Sequence, residues 1–161
     1  NRLMVGVFAP EWVEPIAHVL AELGAERAWV VHGEGGLDEL ATSGKASVAA
    51  LENGKVEIFE VTPEDAGLLR CDISEIKGGD AEFNAAALTG LLAGEPSAYR
   101  DTVLFTSAAA LIVAGKAGNL KAGAAIAAES LDSGKARAAL DRMIEISHEV
   151  IIEEQDEAHD E

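Results

Sequence analysis

The chain has 161 residues, 48% of them hydrophobic and 25% charged, enough for one soluble domain with a core of its own. Its formal net charge of −17 argues against a nucleic-acid-binding surface, and no apolar run is long enough to cross a bilayer. Its lone cysteine, Cys71, excludes an internal disulfide; it reads as a buried small hydrophobe, and a reducing, cytoplasmic setting is expected.

Aromatic residues make up only 4% of the chain, so the core must be aliphatic and alanine-rich. The chain opens on Asn1 and runs at once into Arg2–Phe8, a strand with Leu3, Val5, Val7 and Phe8 apolar. A strand with no lead-in and no initiator methionine suggests a cropped or proteolysed piece of a longer protein. Pro10 suits the first turn of a helix. That helix is expected to reach Leu23, with an apolar stripe of Trp12, Ile16, Val19, Leu20 and Leu23, and to stop at Gly24. His18, beside the stripe, reads as a surface or satisfied core histidine. Arg27–His32 is the next strand. Strand, helix and strand joined by short links read as a right-handed parallel βαβ unit.

The second strand runs into the loop Gly33-Glu34-Gly35-Gly36-Leu37-Asp38-Glu39. Open α/β sheets build ligand sites at the carboxyl ends of their strands, where glycines let backbone and ligand come close. The neighbouring carboxylates of Asp38 and Glu39 suit a hard divalent cation such as Mg²⁺, which takes few protein oxygens and is completed by water and substrate phosphates. The same pair also reads as a solvated turn leading into a helix. Two glycine motifs are excluded. A dinucleotide fingerprint needs a third glycine where Asp38 stands. A P-loop ending at Gly44-Lys45 would need glycine at Glu39 and a hydroxyl at Ala46. His32, at the site-facing end of its strand, could donate to the loop backbone and hold its shape.

Asn53-Gly54 between the runs Ala46–Leu51 and Lys55–Val61 signals a β-hairpin at the sheet edge, with Val56, Ile58 and Val61 apolar. Thr62–Asp65 reads as a turn or short helical start, and Ala66–Lys77 as connection with a small apolar patch at Leu68, Leu69, Ile73 and Ile76. Four helices follow. Asp80 caps the first, Ala81–Leu92, which Gly94-Glu95-Pro96 ends. The second runs from Ser97 or Ala98 to about Lys116, with an apolar interior at Val103–Val113. Asn119 caps the third, which ends near Ser133-Gly134. The fourth is Lys135–Ile152, with Ala139, Leu140, Met143, Ile144 and Ile146 apolar. The acidic tail over 148–161 reads as fraying and solvated, and its His148 and His159 are too far apart to pair on a metal. The expected fold class is α/β: a mostly parallel, mixed sheet with an antiparallel hairpin and helices on both faces.

The loop, in the form Val30-Val31-His32-Gly33-Glu34-Gly35-Gly36-Leu37-Asp38-Glu39, resembles anthranilate phosphoribosyltransferases, in the C-terminal half of that family's chain. Leu3–Phe8, Gly78–Ala85, Ala108–Gly115 and Ser133–Ala136 are similar to flanking segments of the same half, so the resemblance runs in order to about Glu145. It implies that residues 1–147 are the C-terminal part of the family's α/β domain. It further implies Mg²⁺-dependent transfer of the 5-phosphoribosyl group from phosphoribosyl pyrophosphate to anthranilate, with Asp38 and Glu39 as metal ligands. Glu39 would be shared between two ions and Asp38 would hold one. The family's Gly-Thr-Gly-Gly loop, its Lys-His-Gly-Asn segment and its arginine-bearing helix belong to the N-terminal half and are absent from this chain, as is the helical domain through which the full-length enzyme usually forms a homodimer. The chain alone is therefore expected to be inactive. A nucleoside phosphorylase-like enzyme and a non-enzymatic, nucleic-acid-binding homologue are the alternatives, the latter disfavoured by the charge.

Overall fold

The computed structural model describes residues 1–157, with side chains described through Glu149. Four strands, β1 (Arg2–Gly6), β2 (Arg27–Gly33), β3 (Ala46–Glu52) and β4 (Lys55–Val61), form one sheet in that spatial order. Among the described residues five α-helices accompany them: α1 (Val13–Glu22), α2 (Ala81–Leu92), α3 (Ala98–Val113), α4 (Leu120–Asp132) and α5 (Lys135–Glu157).

The sheet is mixed, as expected, but parallel pairing is confined to β1 and β2, where Leu3 lies opposite Ala28. β2–β3 and β3–β4 are both antiparallel. A mostly parallel sheet would need a crossover between β2 and β3. The intervening segment carries no helix, so β3 folds straight back along β2. The hairpin stands where the sequence placed it. Asn53 and Gly54 take φ values of 52° and 74°, which match the right-handed twist of the flanking strands.

Alternation along the strands sends side chains to two cores. Val30 and Ala49 face α1, where they meet Val13 and Ala17. Trp29, Val31 and Val48 face the opposite way, onto Phe105, Ala108 and Ala109 of α3. Helices thus cover both faces. Phe59 of β4 joins the α3 side, its ring edge-on to Trp29 at 5.5 Å. Val61 is buried on that face too, whereas Ile58 points away and is exposed.

The α1 stripe differs in phase from the expected one. Residues Pro10–Trp12 form a 3₁₀ turn, so the α-helix starts at Val13. Its buried line is Val13, Ile16, Ala17 and Leu20, while Trp12, Val19 and Leu23 remain exposed. A second 3₁₀ turn, Pro63–Ala66, carries a reciprocal capping box between Thr62 and Asp65. The expected caps Asp80 and Asn119 form, and Ser97, expected as a possible first helical residue, is itself a cap; each accepts a backbone N–H of the following turn. Phe105, Ala108 and Ala109 of α3 have no exposed surface, which makes this helix the centre of the molecule. Helix α5 projects away from the core, with Met143, Ile144 and Ile146 exposed. It continues past the expected end, to Glu157. The tail expected over 148–161 falls largely on side chains, from Val150 on, and on residues, 158–161 including His159, that lie outside those described.

Candidate functional site

β1 and β2 end side by side, and both end in glycine. The chain leaves β2 at Gly33 and returns to β3 at Ala46, forming a loop over these strand ends. Its base is closed by two bonds: the Glu34 N–H donates to the Lys45 carbonyl at 2.9 Å, and the Lys45 N–H donates to the Glu34 carboxylate at 3.2 Å. Higher up, the Gly33 N–H donates to the Leu37 carbonyl at 2.7 Å. Gly35 and Gly36 make this turn with φ values of 86° and 87°, a left-handed conformation that disfavours side chains. The loop then lays Asp38 directly on β1. A Cβ built on Gly6 would fall 1.6 Å from the Asp38 carbonyl oxygen, and one on Gly33 would fall 2.5 Å from that of Glu39.

From Leu40 onward the loop is bolted to α3. Leu40, Ala41 and Thr42 are buried. The Thr106 hydroxyl donates to the Leu40 carbonyl at 2.8 Å. The Thr42 N–H donates to the Thr102 hydroxyl at 3.2 Å, and the two hydroxyls lie 2.8 Å apart. Cys71 completes this corner. Its N–H donates to the Thr42 carbonyl, and its thiol lies 3.3 Å from the Thr42 hydroxyl. The thiol is half-buried at a polar junction, not sunk in the apolar core as expected from sequence.

Asp38 and Glu39 are therefore adjacent, exposed and mounted on a backbone fixed from two sides. Among the described residues neither carboxylate has an ion-pair or hydrogen-bond partner, and no group of three or more metal-ligating side chains converges. Partial desolvation at the strand ends, reinforced by the Asp38 charge, pushes the Glu39 carboxyl above its usual range. Two uncompensated carboxylates of this kind fit a divalent cation whose other ligands are water and a phosphorylated substrate. His32, the penultimate residue of β2, does not bond to the loop backbone as expected: its ring nitrogen reaches the Val7 carbonyl, just past β1, at 2.9 Å. His18 is exposed on α1 and lies 3.7 Å from Glu14.

Sequence reading found the acidic pair but missed Gly6, Thr102 and Thr106. Gly6 carried a weak local signal, as a glycine closing an apolar strand.

A family model described as "Glycosyl transferase family, a/b domain" matches residues 1–137. The chain belongs to this family. Among curated relatives, the anthranilate phosphoribosyltransferase of Brucella canis is 60% identical over 149 residues, 92% of this chain and 44% of that protein. The chain thus spans less than half the length of the relatives it matches. The crystal structure of anthranilate phosphoribosyltransferase from Thermus thermophilus superposes with a TM-score of 0.77 at 43% identity, over 85% of this chain and 40% of that one. The Saccharomyces cerevisiae enzyme in complex with PRPP and Mg superposes with a TM-score of 0.82 at 25% identity, over 89% and 42% of the two chains. Among the described residues, no helix of this family member is long and apolar enough to cross a membrane.

Proposed function

We propose that this chain is the C-terminal, metal-binding portion of an anthranilate phosphoribosyltransferase, which transfers the 5-phosphoribosyl group from phosphoribosyl pyrophosphate to the amine of anthranilate and releases pyrophosphate. The observation that carries this reading is the rigidly mounted pair Asp38 and Glu39, two carboxylates without a cationic partner among the described residues. The identity to whole phosphoribosyltransferases and the similarity to one solved with PRPP and Mg support it.

Breaking the bond at the ribose C1 builds positive charge on the sugar and negative charge on the departing pyrophosphate. When bound, Mg²⁺ supplies charge neutralisation and Lewis acidity at that leaving group. Asp38 and Glu39 would hold the ion, and their fixed backbone would spare the site reorganisation during the reaction. The remaining phosphate and anthranilate contacts lie in the portion of the relatives that this chain does not match.

The test is a phosphoribosyl-transfer assay on the chain alone and on a longer form carrying that portion. The longer form is expected to be active, and Asp38→Ala or Glu39→Ala to abolish its activity and its Mg²⁺ response without lowering its thermal midpoint. An active short chain overturns the proposed division of the site. A longer form that phosphorolyses pyrimidine nucleosides instead moves the assignment to a phosphorylase.

A further inference from the structure

We propose that His32 is a positioning residue for the acidic loop: its ring ties the ends of β1 and β2 together and so holds the glycine platform under Asp38 and Glu39. The inference rests on the metal reading above.

The ring nitrogen Nδ1 lies 2.9 Å from the Val7 carbonyl oxygen. A carbonyl only accepts, so Nδ1 carries the hydrogen and donates it. Val7 is the first residue past the end of β1, and its own N–H donates to the Val31 carbonyl at 2.9 Å. Both polar groups of Val7 are thus held by β2, one by backbone and one by the histidine. The residues next to these attachment points, Gly6 and Gly33, are the two on which the loop rests. Gly6 meets the Asp38 carbonyl, and Gly33 meets the Glu39 carbonyl while donating to that of Leu37. The carbonyls of both metal-loop acids therefore sit on a surface that the β1–β2 ladder lays down and that His32 braces at its open end. Without the ring, the Val7–Phe8 peptide loses its tie to β2, and the Val7 N–H bond to the Val31 carbonyl is left as the last link between the two strand ends. Two carboxylates that must reach one ion tolerate little such drift; groups bonded directly to metal ligands govern affinity by about 10–100-fold, and His32, acting one contact further out, belongs at the low end of that range.

The geometry also says which substitute would serve. Asparagine can place an amide N–H where Nδ1–H stands, whereas leucine fills similar space with no donor. Amide hydrogen exchange and Mn²⁺ binding, the latter followed by electron paramagnetic resonance, should be measured on the full chain as wild type, His32→Leu and His32→Asn. His32→Leu is expected to speed exchange at the Val7 and Gly33 amides, to leave the β3–β4 amides unchanged, and to weaken Mn²⁺ binding by about 10-fold. His32→Asn is expected to restore most of both. Unchanged exchange in His32→Leu overturns the tie. Faster exchange with unchanged Mn²⁺ affinity, or no rescue by asparagine, overturns the positioning role. If the wild type itself fails to bind Mn²⁺ through Asp38 and Glu39, the metal reading falls and the positioning role with it, while the exchange data still decide whether the tie exists.

Discussion

Gly6 and Asp38 meet backbone to backbone, so closely that a Cβ on Gly6 would stand 1.6 Å from the Asp38 carbonyl oxygen. No rotamer change can relieve such an overlap, because the obstructing atom is main chain. Gly6→Ala is expected to lift the loop off the sheet, at a cost of about 1–3 kcal/mol in urea unfolding, and to weaken divalent-ion binding. Gly6 does not need positive φ, so the whole effect should come from contact and not from backbone conformation.

Glu39 should leave a signature in the pH dependence of stability. Desolvation first, and the Asp38 charge second, raise its carboxyl above the ordinary value. The native state then holds that proton more tightly than the unfolded chain, so this group's contribution falls as pH rises through the interval between the two values. Glu39→Gln is expected to melt slightly higher than wild type near neutral pH. The gain should vanish in acid, below the ordinary glutamate value of about 4.3. Saturating Mg²⁺ at neutral pH should reverse the ranking, because the ion stabilises only the form that binds it. Thermal melts with and without Mg²⁺ check both halves.

The threonine pair behind the loop permits a double-mutant cycle. Thr102→Val removes the acceptor of the buried Thr42 N–H together with the partner of the Thr42 hydroxyl. It is expected to cost about 1–3 kcal/mol, the penalty of an orphaned buried donor. Thr42→Val leaves its N–H bond to Thr102 in place and should cost less. The double variant should cost less than the sum of the singles, which chemical denaturation of all four proteins would measure.

Helices α3 and α4 cross tightly at Gly123, where an added Cβ would meet the Cα, carbonyl and Cβ of Ala108 at 2.8–2.9 Å. Helix propensity alone favours alanine over glycine by about 1 kcal/mol. Gly123→Ala is nevertheless expected to destabilise, by about 1–3 kcal/mol, since Ala108 is fully buried and cannot retreat. A higher melting temperature for this variant would show that the crossing can relax.

The features read correctly from sequence were those decided by neighbouring residues. Asn53-Gly54 fixes its hairpin through its own dihedral preferences, and Asp80 and Asn119 cap helices through bonds that span three residues. The placement of Asp38 and Glu39 on an exposed loop after β2 was legible for the same reason, as a contiguous glycine-rich motif at a strand end. What holds the pair was not, because Gly6 and Thr102 reach the loop from distant elements. The α1 stripe slipped in phase because the helix packs on the sheet through Val13, Ile16, Ala17 and Leu20, with small Ala17 against Val30 and Ala49, which turns Val19 and Leu23 outward. The balance of parallel and antiparallel pairing depended on whether the segment after Gly33 crosses the sheet, and its glycines carried a loop signal without a direction.

The two outer strands of the sheet are unlike. β4 carries Lys55, Glu57 and Glu60 along its length, charges that discourage a newcomer from pairing there. β1 has a single charge, on Arg2, followed by Leu-Met-Val-Gly. A sheet with one guarded rim and one bare rim lengthens in a single direction. Of the two rims, the one beside Gly6 and the acidic loop thus carries the weaker charge barrier to a further strand.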